Sequence, residues 1–230
     1  KAIYGYDIKL DGMLYASITR PPVLGSDVVS VDDAKARKIA GVVDIITLPV
    51  PKGAPLFQAL GGVAVIATNS WSAIEARKAL AITWSESVND SHDSDVYLKG
   101  LVERVKLPGK VIRQLGTSVT DWPAEHTLSA VYTVPYLTHA MMEPPVATAN
   151  VTADGCELWA SSQTPQSTQQ NVAGALGLKE EQVKVNVTLL GGGFGRKSKP
   201  DFSVEAAILS QKLNKPVKVC WSREDEIQNG

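Results

Sequence analysis

The amino-acid sequence predicts an α+β protein in two domains, one over residues 1–118 including a polar linker and one over 119–230. Three observations predict it. Within the first 90 residues, strand-like runs twice enclose a short helical pattern, which suits helices laid on one face of a sheet. A stretch rich in Ser, Asp and Asn begins near residue 86 and separates two halves of differing pattern. The composition, 44% apolar and 20% charged over 230 residues, is that of chains that bury real cores.

In the first half, residues 4–18 carry β-rich residues on both sides of Asp11-Gly12 and read as a hairpin, with Pro21-Pro22 ending its second strand. Asp32 suits the cap of a short helix whose Ala36, Ile39 and Ala40 share a face, and Gly41 follows as its terminator. Residues 42–48 are the next strand. The unit then repeats: a strand over 62–68, a helix capped by Asn69 or Ser70 with Ala73, Ala76 and Leu80 on one side, and a strand over 80–84. No nucleophile lies beside a base here, and the charged residues of this half read as solvated faces. Residues 95–105 are a helix ended by Pro108-Gly109.

In the second half, 128–136 is a strand by composition, and 146–151 with 156–161 form a hairpin across Asp154-Gly155. Ser167 or Thr168 can cap a helix running to Ala175 and ended by Gly177. Residues 183–190 alternate as a strand. Pro200 opens a helix whose Phe202, Ala206, Leu209 and Leu213 face the core, and 217–221 is a last strand.

Charge and motif content exclude several classes of function. Lys plus Arg number 23 against 24 acids, a net charge of −1, which argues against a nucleic-acid partner. No apolar run approaches the ~20 residues of a membrane-spanning helix; the longest candidate, 61–67, reads as a buried strand. Cys156 and Cys220 have no ligand spacing and read as small buried hydrophobes. His92, His126 and His139 are too scattered to form a helical metal site, so no side-chain metal ligand is expected. Trp71, Trp84, Trp122, Trp159 and Trp221 are dispersed and read as packing residues. The chain opens Lys1-Ala2-Ile3 without Met or a signal-peptide pattern and stops at Asn229-Gly230. It is therefore expected to be part of a longer polypeptide whose other residues help complete an active site.

The chemistry points to Gly191-Gly192-Gly193-Phe194-Gly195-Arg196-Lys197. A Gly-rich turn between a strand and a helix gathers bare amides and a positive dipole end, and Arg196 and Lys197 add cationic donors, so a phosphate or pyrophosphate is the natural ligand. The better-known phosphate loops fail by spacing: where Arg196 stands, the P-loop would need Gly and the dinucleotide fingerprint Gly or Ala. On the residues alone, the segment is either a cofactor-contacting loop or a tight structural turn.

With Asp201-Phe202 and Glu205-Ala206 in the helix that follows, this loop resembles the signature of the large subunits of the xanthine dehydrogenase/aldehyde oxidase family. The likeness is greatest to the bacterial isoquinoline 1-oxidoreductase and membrane-bound aldehyde dehydrogenase branch. Ser162-Gln163-Thr164-Pro165 resembles that family's Gln loop, and His139-Ala140-Met141-Met142-Glu143-Pro144 its Glu-Pro segment. Residues 12–16, 20–22 and 41–43 resemble parts of an α/β hammerhead domain. The resemblance implies a hammerhead domain followed by the first part of a molybdopterin-cofactor-binding α+β domain. It implies molybdenum held by a pterin, in the cytosine dinucleotide form, and iron–sulfur clusters on a partner small subunit, with a c-type cytochrome as a further partner. It implies oxidation of an aldehyde or N-heterocycle with water as the oxygen source, in the periplasm. Gln163 and Phe194 are implied as catalytic, Gln163 bonding an oxygen on the metal, and Gly192, Gly193, Phe194, Gly195 and Arg196 as cofactor-binding. The family's general base, a Glu in a Gly-x-Gly-Glu context, has no match in these residues. Ser198 stands where purine-oxidising relatives carry Glu, which disfavours purines. Glu143 reads either as a satisfier of backbone donors at a kinked turn or as a residue near the site. The competing reading of the chain is a non-catalytic periplasmic binding or assembly module that uses the Gly loop for a nucleotide or phosphorylated ligand.

Overall fold

A computed structural model describes residues 2–118 and 121–230. These divide into two compact units: residues up to Asp90 together with Thr138–Gly230, and Ser91–Leu137. The larger unit holds a seven-stranded mixed sheet in the order β3-β4-β1-β9-β6-β7-β8. Its strands are β1 (Leu14–Thr19), β3 (Val42–Leu48), β4 (Gly62–Ala67), β6 (Val146–Thr152), β7 (Gly155–Ala160), β8 (Val183–Val187) and β9 (Val217–Cys220). A separate pair joins β2 (Val28–Asp32) to β5 (Ala81–Trp84). The two halves of the sequence thus share one sheet through the parallel pairing of β1 with β9. The expected 118/119 boundary falls within the smaller unit, Ser91–Leu137, and residues 119–120 beside it lie outside the described residues.

Strand β4 explains the layering. Every residue of Gly-Val-Ala-Val-Ile-Ala is buried, so both faces of this strand are covered. Ala64 and Ile66 enter the main core with Phe202, Leu209 and Leu158, whereas Val65 meets Ala36 and Ala76 in a second cluster. Helix α1 (Ser70–Lys78) therefore covers one face, and α3 (Pro165–Leu176) and α4 (Asp201–Leu213) cover the other. The helical segments of the first half, α1 and the turn at Ala36, thus lie on one face as expected, and the second half supplies the helices of the other. Asn69 is the cap of α1, its side chain accepting from Ser72 N at 2.8 Å. Helix α5 (Arg223–Asn229) closes the unit.

Several expectations are corrected. The 4–18 hairpin does not form, because β4 and β9 take both edges of β1. Asp11-Gly12 still turns the chain, with Gly12 at φ 68°, but the residues before it form a 3-10 turn, Gly5–Asp7, and Tyr4 bridges Leu189 instead. The helix after Asp32 shrinks to one 3-10 turn, Ala36–Lys38, because Asp32 ends β2 and β3 begins again at Val42. Helix α3 starts at Pro165, with Thr164 as its cap residue, before either expected cap. Strand β8 stops at Val187 and leaves a longer approach to the Gly loop.

The smaller unit contains α2 (Ser94–Arg104), capped by Asp93, and a 3-10 turn at Ala124–His126. Its 128–136 segment is not a strand. It runs without a ladder among the described residues, with Leu128 95% and Tyr132 90% exposed. Strand propensity is expressed only against a partner edge, and this unit offers none. Tyr136 instead stacks on Tyr97, ring centroids 6.4 Å apart.

Candidate functional site

Two loops of the larger unit meet to form the site. The first leaves β7 and turns into α3. Ser162 Oγ lies 2.8 Å from Thr168 Oγ1 and accepts from Thr164 N at 3.0 Å, which shapes the turn before Pro165. Proline is accommodated at this first helical position, where its missing N–H costs no helical bond. The turn holds Gln163 at the surface.

The second loop carries the glycines from β8 to α4. Gly192 sits at φ 99° and Gly195 at φ 93°, and Phe194, without glycine's freedom, is held at φ 50°. The two loops zip together: Gln163 N donates to Lys197 O at 3.1 Å, and Thr164 Oγ1 donates to Ser198 O at 2.8 Å. Gly195 N donates to Gln163 Oε1 at 3.0 Å. That bond fixes the amide orientation, because the nitrogen end of the amide cannot accept a backbone proton. Among the described residues, no partner stands opposite the Gln163 NH2. Phe194, beside it in the loop, is 72% exposed.

The cations are not free. Arg196 forms a two-pronged pair with Asp201, at 3.0 and 2.8 Å, and both residues are buried. Its guanidinium also lies 4.9 Å from the Trp221 ring centroid, with that of Arg20 at 3.8 Å. Lys197 is fully buried and donates to Glu143 Oε2 at 2.8 Å. Burial lowers the Lys197 pKa, and the Glu143 carboxylate opposes that shift. Glu143 also accepts from Gly5 N at 3.0 Å and Gly191 N at 3.3 Å. The expectation that Arg196 and Lys197 offer cationic donors to a phosphate is therefore corrected.

The structure brings Gln163, Gly193 and Gly195 together, since a methyl on Gly193 would lie 2.7 Å from Gln163 Cδ. A Cβ on Gly195 would meet nothing within 4 Å, so that side of the loop is open. An amide NH2 without a partner, an exposed aromatic ring and an open glycine backbone suit the close approach of a planar, hydrogen-bond-accepting cofactor. Glu143 does satisfy backbone donors, but one of them belongs to the Gly loop itself. Pairing 54 residues apart hid Lys197–Glu143 from the sequence reading, as did 138 for the Gly5 bond. The first half's charges are not all solvated either: Arg20 is buried against Glu205, at 3.0 and 2.6 Å. Cys156 and Cys220 are free and buried, and burial pushes both thiols up to about 12.

This fold occurs in solved oxidoreductase structures. Quinoline 2-oxidoreductase from Pseudomonas putida 86 superposes with a TM-score of 0.70 at 20% identity, over 98% of this chain and 33% of that one. Aldehyde oxidoreductase from Desulfovibrio gigas gives 0.63 at 19%, over 98% and 29%. At these identities the likeness establishes the fold. Residues 118–230 match the family model of the molybdopterin cofactor-binding domain. The chain is 31% identical to the isoquinoline 1-oxidoreductase subunit beta of Brevundimonas diminuta, over 99% of its own length and 29% of the relative's. It is 33% identical to a membrane-bound aldehyde dehydrogenase of Gluconacetobacter polyoxogenes, over 99% and 30%. The chain thus spans about 30% of the length of these curated relatives.

Proposed function

We propose that this chain is part of the large subunit of a molybdenum hydroxylase that oxidises aldehydes or N-heterocycles with water as the oxygen source. Residues 1–118 serve as the hammerhead domain with its linker, and 119–230 as the first part of the cofactor domain. The observation that carries this reading is the orientation of Gln163: Gly195 N holds Oε1, which leaves the NH2 free to donate beside the exposed Phe194. When bound, the pterin-held molybdenum supplies the two-electron chemistry. Gln163 donates to an acceptor at the reacting centre. Gly192, Gly193 and Gly195 let the cofactor approach the backbone, and Phe194 offers an apolar wall that keeps water from one side. Arg196 serves from beneath, through Asp201 at the start of α4.

The cytosine dinucleotide form of the cofactor, iron–sulfur clusters on a small subunit, a c-type cytochrome acceptor and a periplasmic location complete the proposal. They rest on the resemblance to the bacterial branch. In the non-catalytic alternative the Gly loop would take a nucleotide or phosphorylated ligand, to which Arg196 and Lys197, engaged internally, offer no free cation.

The test is Gln163→Ala in the full-length complex. A lost preorganised donor should lower kcat by about 10–1000-fold at matched molybdenum content, with little change in Tm. An unchanged kcat would remove Gln163 from the site.

A further inference from the structure

We propose that the buried Glu143–Lys197 pair is the positioning device of the site, holding the Gly loop in register with Gln163. The proposal rests on the reading of Gln163 and the Gly loop given above. It adds two residues that touch neither cofactor nor substrate.

The geometry is convergent. Glu143 reaches three donors with one carboxylate: Gly5 N, Gly191 N and Lys197 Nζ, at 3.0, 3.3 and 2.8 Å. Its own N–H donates to Gly191 O at 2.9 Å, so Glu143 and the first loop glycine are joined in both directions. Lys197 stands at the other end of the loop, and its carbonyl accepts from Gln163 N. Side-chain charge at one end and backbone at the other thereby tie the loop's entrance, its exit and the Gln163 backbone to a single carboxylate. The residues between Gly191 and Lys197 supply the exposed face. The loop's start is also pinned at Leu189, whose N donates to Ile3 O at 3.0 Å. The first residues of the described chain thus brace the same corner.

Packing alone does not call for a charged pair here. A fully buried ammonium whose hydrogen-bond partner among the described residues is one carboxylate is a costly way to fill space, and well-packed apolar side chains of similar volume commonly hold a fold as well. What apolar side chains cannot do is fix two backbone amides and a neighbouring carbonyl in one orientation. A methyl on Gly191 would lie 2.5 Å from Glu143 Cβ, so this end of the loop is fitted to the carboxylate's own stem.

The test is made in the full-length protein with its partner subunits. Glu143→Leu and Lys197→Met are prepared singly and together. Hydrogen exchange is followed in a peptide covering 188–199 of the cofactor-free protein, alongside Tm, and molybdenum content is measured after cofactor loading. Each single change strands a buried group and should lower Tm. The double change should return Tm toward the parent value, while exchange over 188–199 stays about tenfold or more faster and molybdenum content falls severalfold. Parent-like exchange and molybdenum content in the double variant would overturn the proposal and leave the pair a packing feature. If the double variant does not fold, Glu143→Asp decides. Its shorter arm cannot reach Lys197 and Gly191 N together, so it should speed loop exchange at near-parent Tm; unchanged exchange would overturn the proposal. Gln163→Ala, assayed in parallel, separates the two ideas. If it lowers kcat while the double variant behaves as parent, only the positioning role fails. If it leaves kcat unchanged, the site reading itself fails.

Discussion

Two glycine clusters of this molecule look alike in sequence and differ in purpose. Gly61-Gly62 precedes β4, and Gly191-Gly192-Gly193 with Gly195 follows β8. Both contain positive-φ residues: 76° and 116° in the first cluster, 99° and 93° at Gly192 and Gly195 in the second. Around Gly61 and Gly62, a side chain would run into main chain, the carbonyl oxygens of Pro49 and Thr19. Neither can retreat without breaking up the core of the sheet. Around the second cluster, a side chain would meet Gln163, Met141 and Glu143 Cβ, or nothing at all. The first pair of glycines is required by the fold, and so is Gly191 against the stem of Glu143, whereas Gly193 and Gly195 keep a surface bare. A glycine's neighbours, and not its φ, reveal which it is.

Ranked by effect on the unfolding free energy, the sharpest test of this contrast is Gly62→Ala. Its methyl meets a rigid carbonyl in a strained backbone region, so the loss should be on the order of 5 kcal/mol by chemical denaturation. A loss below about 1 kcal/mol would erase the distinction. Next comes Arg196→Ala, which takes from the buried Asp201 its two-pronged partner and leaves it Lys199 at 3.5 Å and Phe202 N at 3.0 Å. About 3 kcal/mol should be lost, largely independent of salt because the pair is buried. A salt-sensitive loss of cofactor at unchanged apo stability would instead make Arg196 a phosphate donor.

Gly195→Ala should cost about 1–2 kcal/mol, the backbone strain alone, since its Cβ meets nothing. Any further loss of bound molybdenum would measure how closely the cofactor approaches there. Gly193→Ala should change stability by less than about 1 kcal/mol, because the atoms it meets are the end of a flexible side chain. By displacing the Gln163 amide, it should nevertheless lower kcat about tenfold or more. An unchanged kcat at that position would separate Gln163 from the chemistry. The smallest effect is expected at the cysteines. With both thiols pushed up to about 12, neither should react with a thiol reagent in the native protein at pH 8, whereas the unfolded chain should react at both.

Much of this protein was legible in local sequence. The apolar run of β4, the Asn69 cap, the Asp154-Gly155 hairpin, the Gly177 stop of α3 and the buried stripe of α4 each follow from signals a few residues long, because a backbone preference and a burial period act over that distance. The Gly loop and Gln163 were legible as a motif as well. Their contact was not, since it spans 32 residues and is made by a backbone amide that no side-chain pattern advertises. Tertiary structure alone decided which edges of β1 were taken, and so denied residues 4–10 a hairpin. It left 128–136 without a ladder despite a strand's composition, because pairing requires an edge as well as a propensity. It also turned Arg196 and Lys197 inward. A cation in a sequence is equally a ligand for phosphate or a partner for a buried carboxylate; the choice depends on which acid the fold carries within about 3 Å of it, here Asp201 and Glu143.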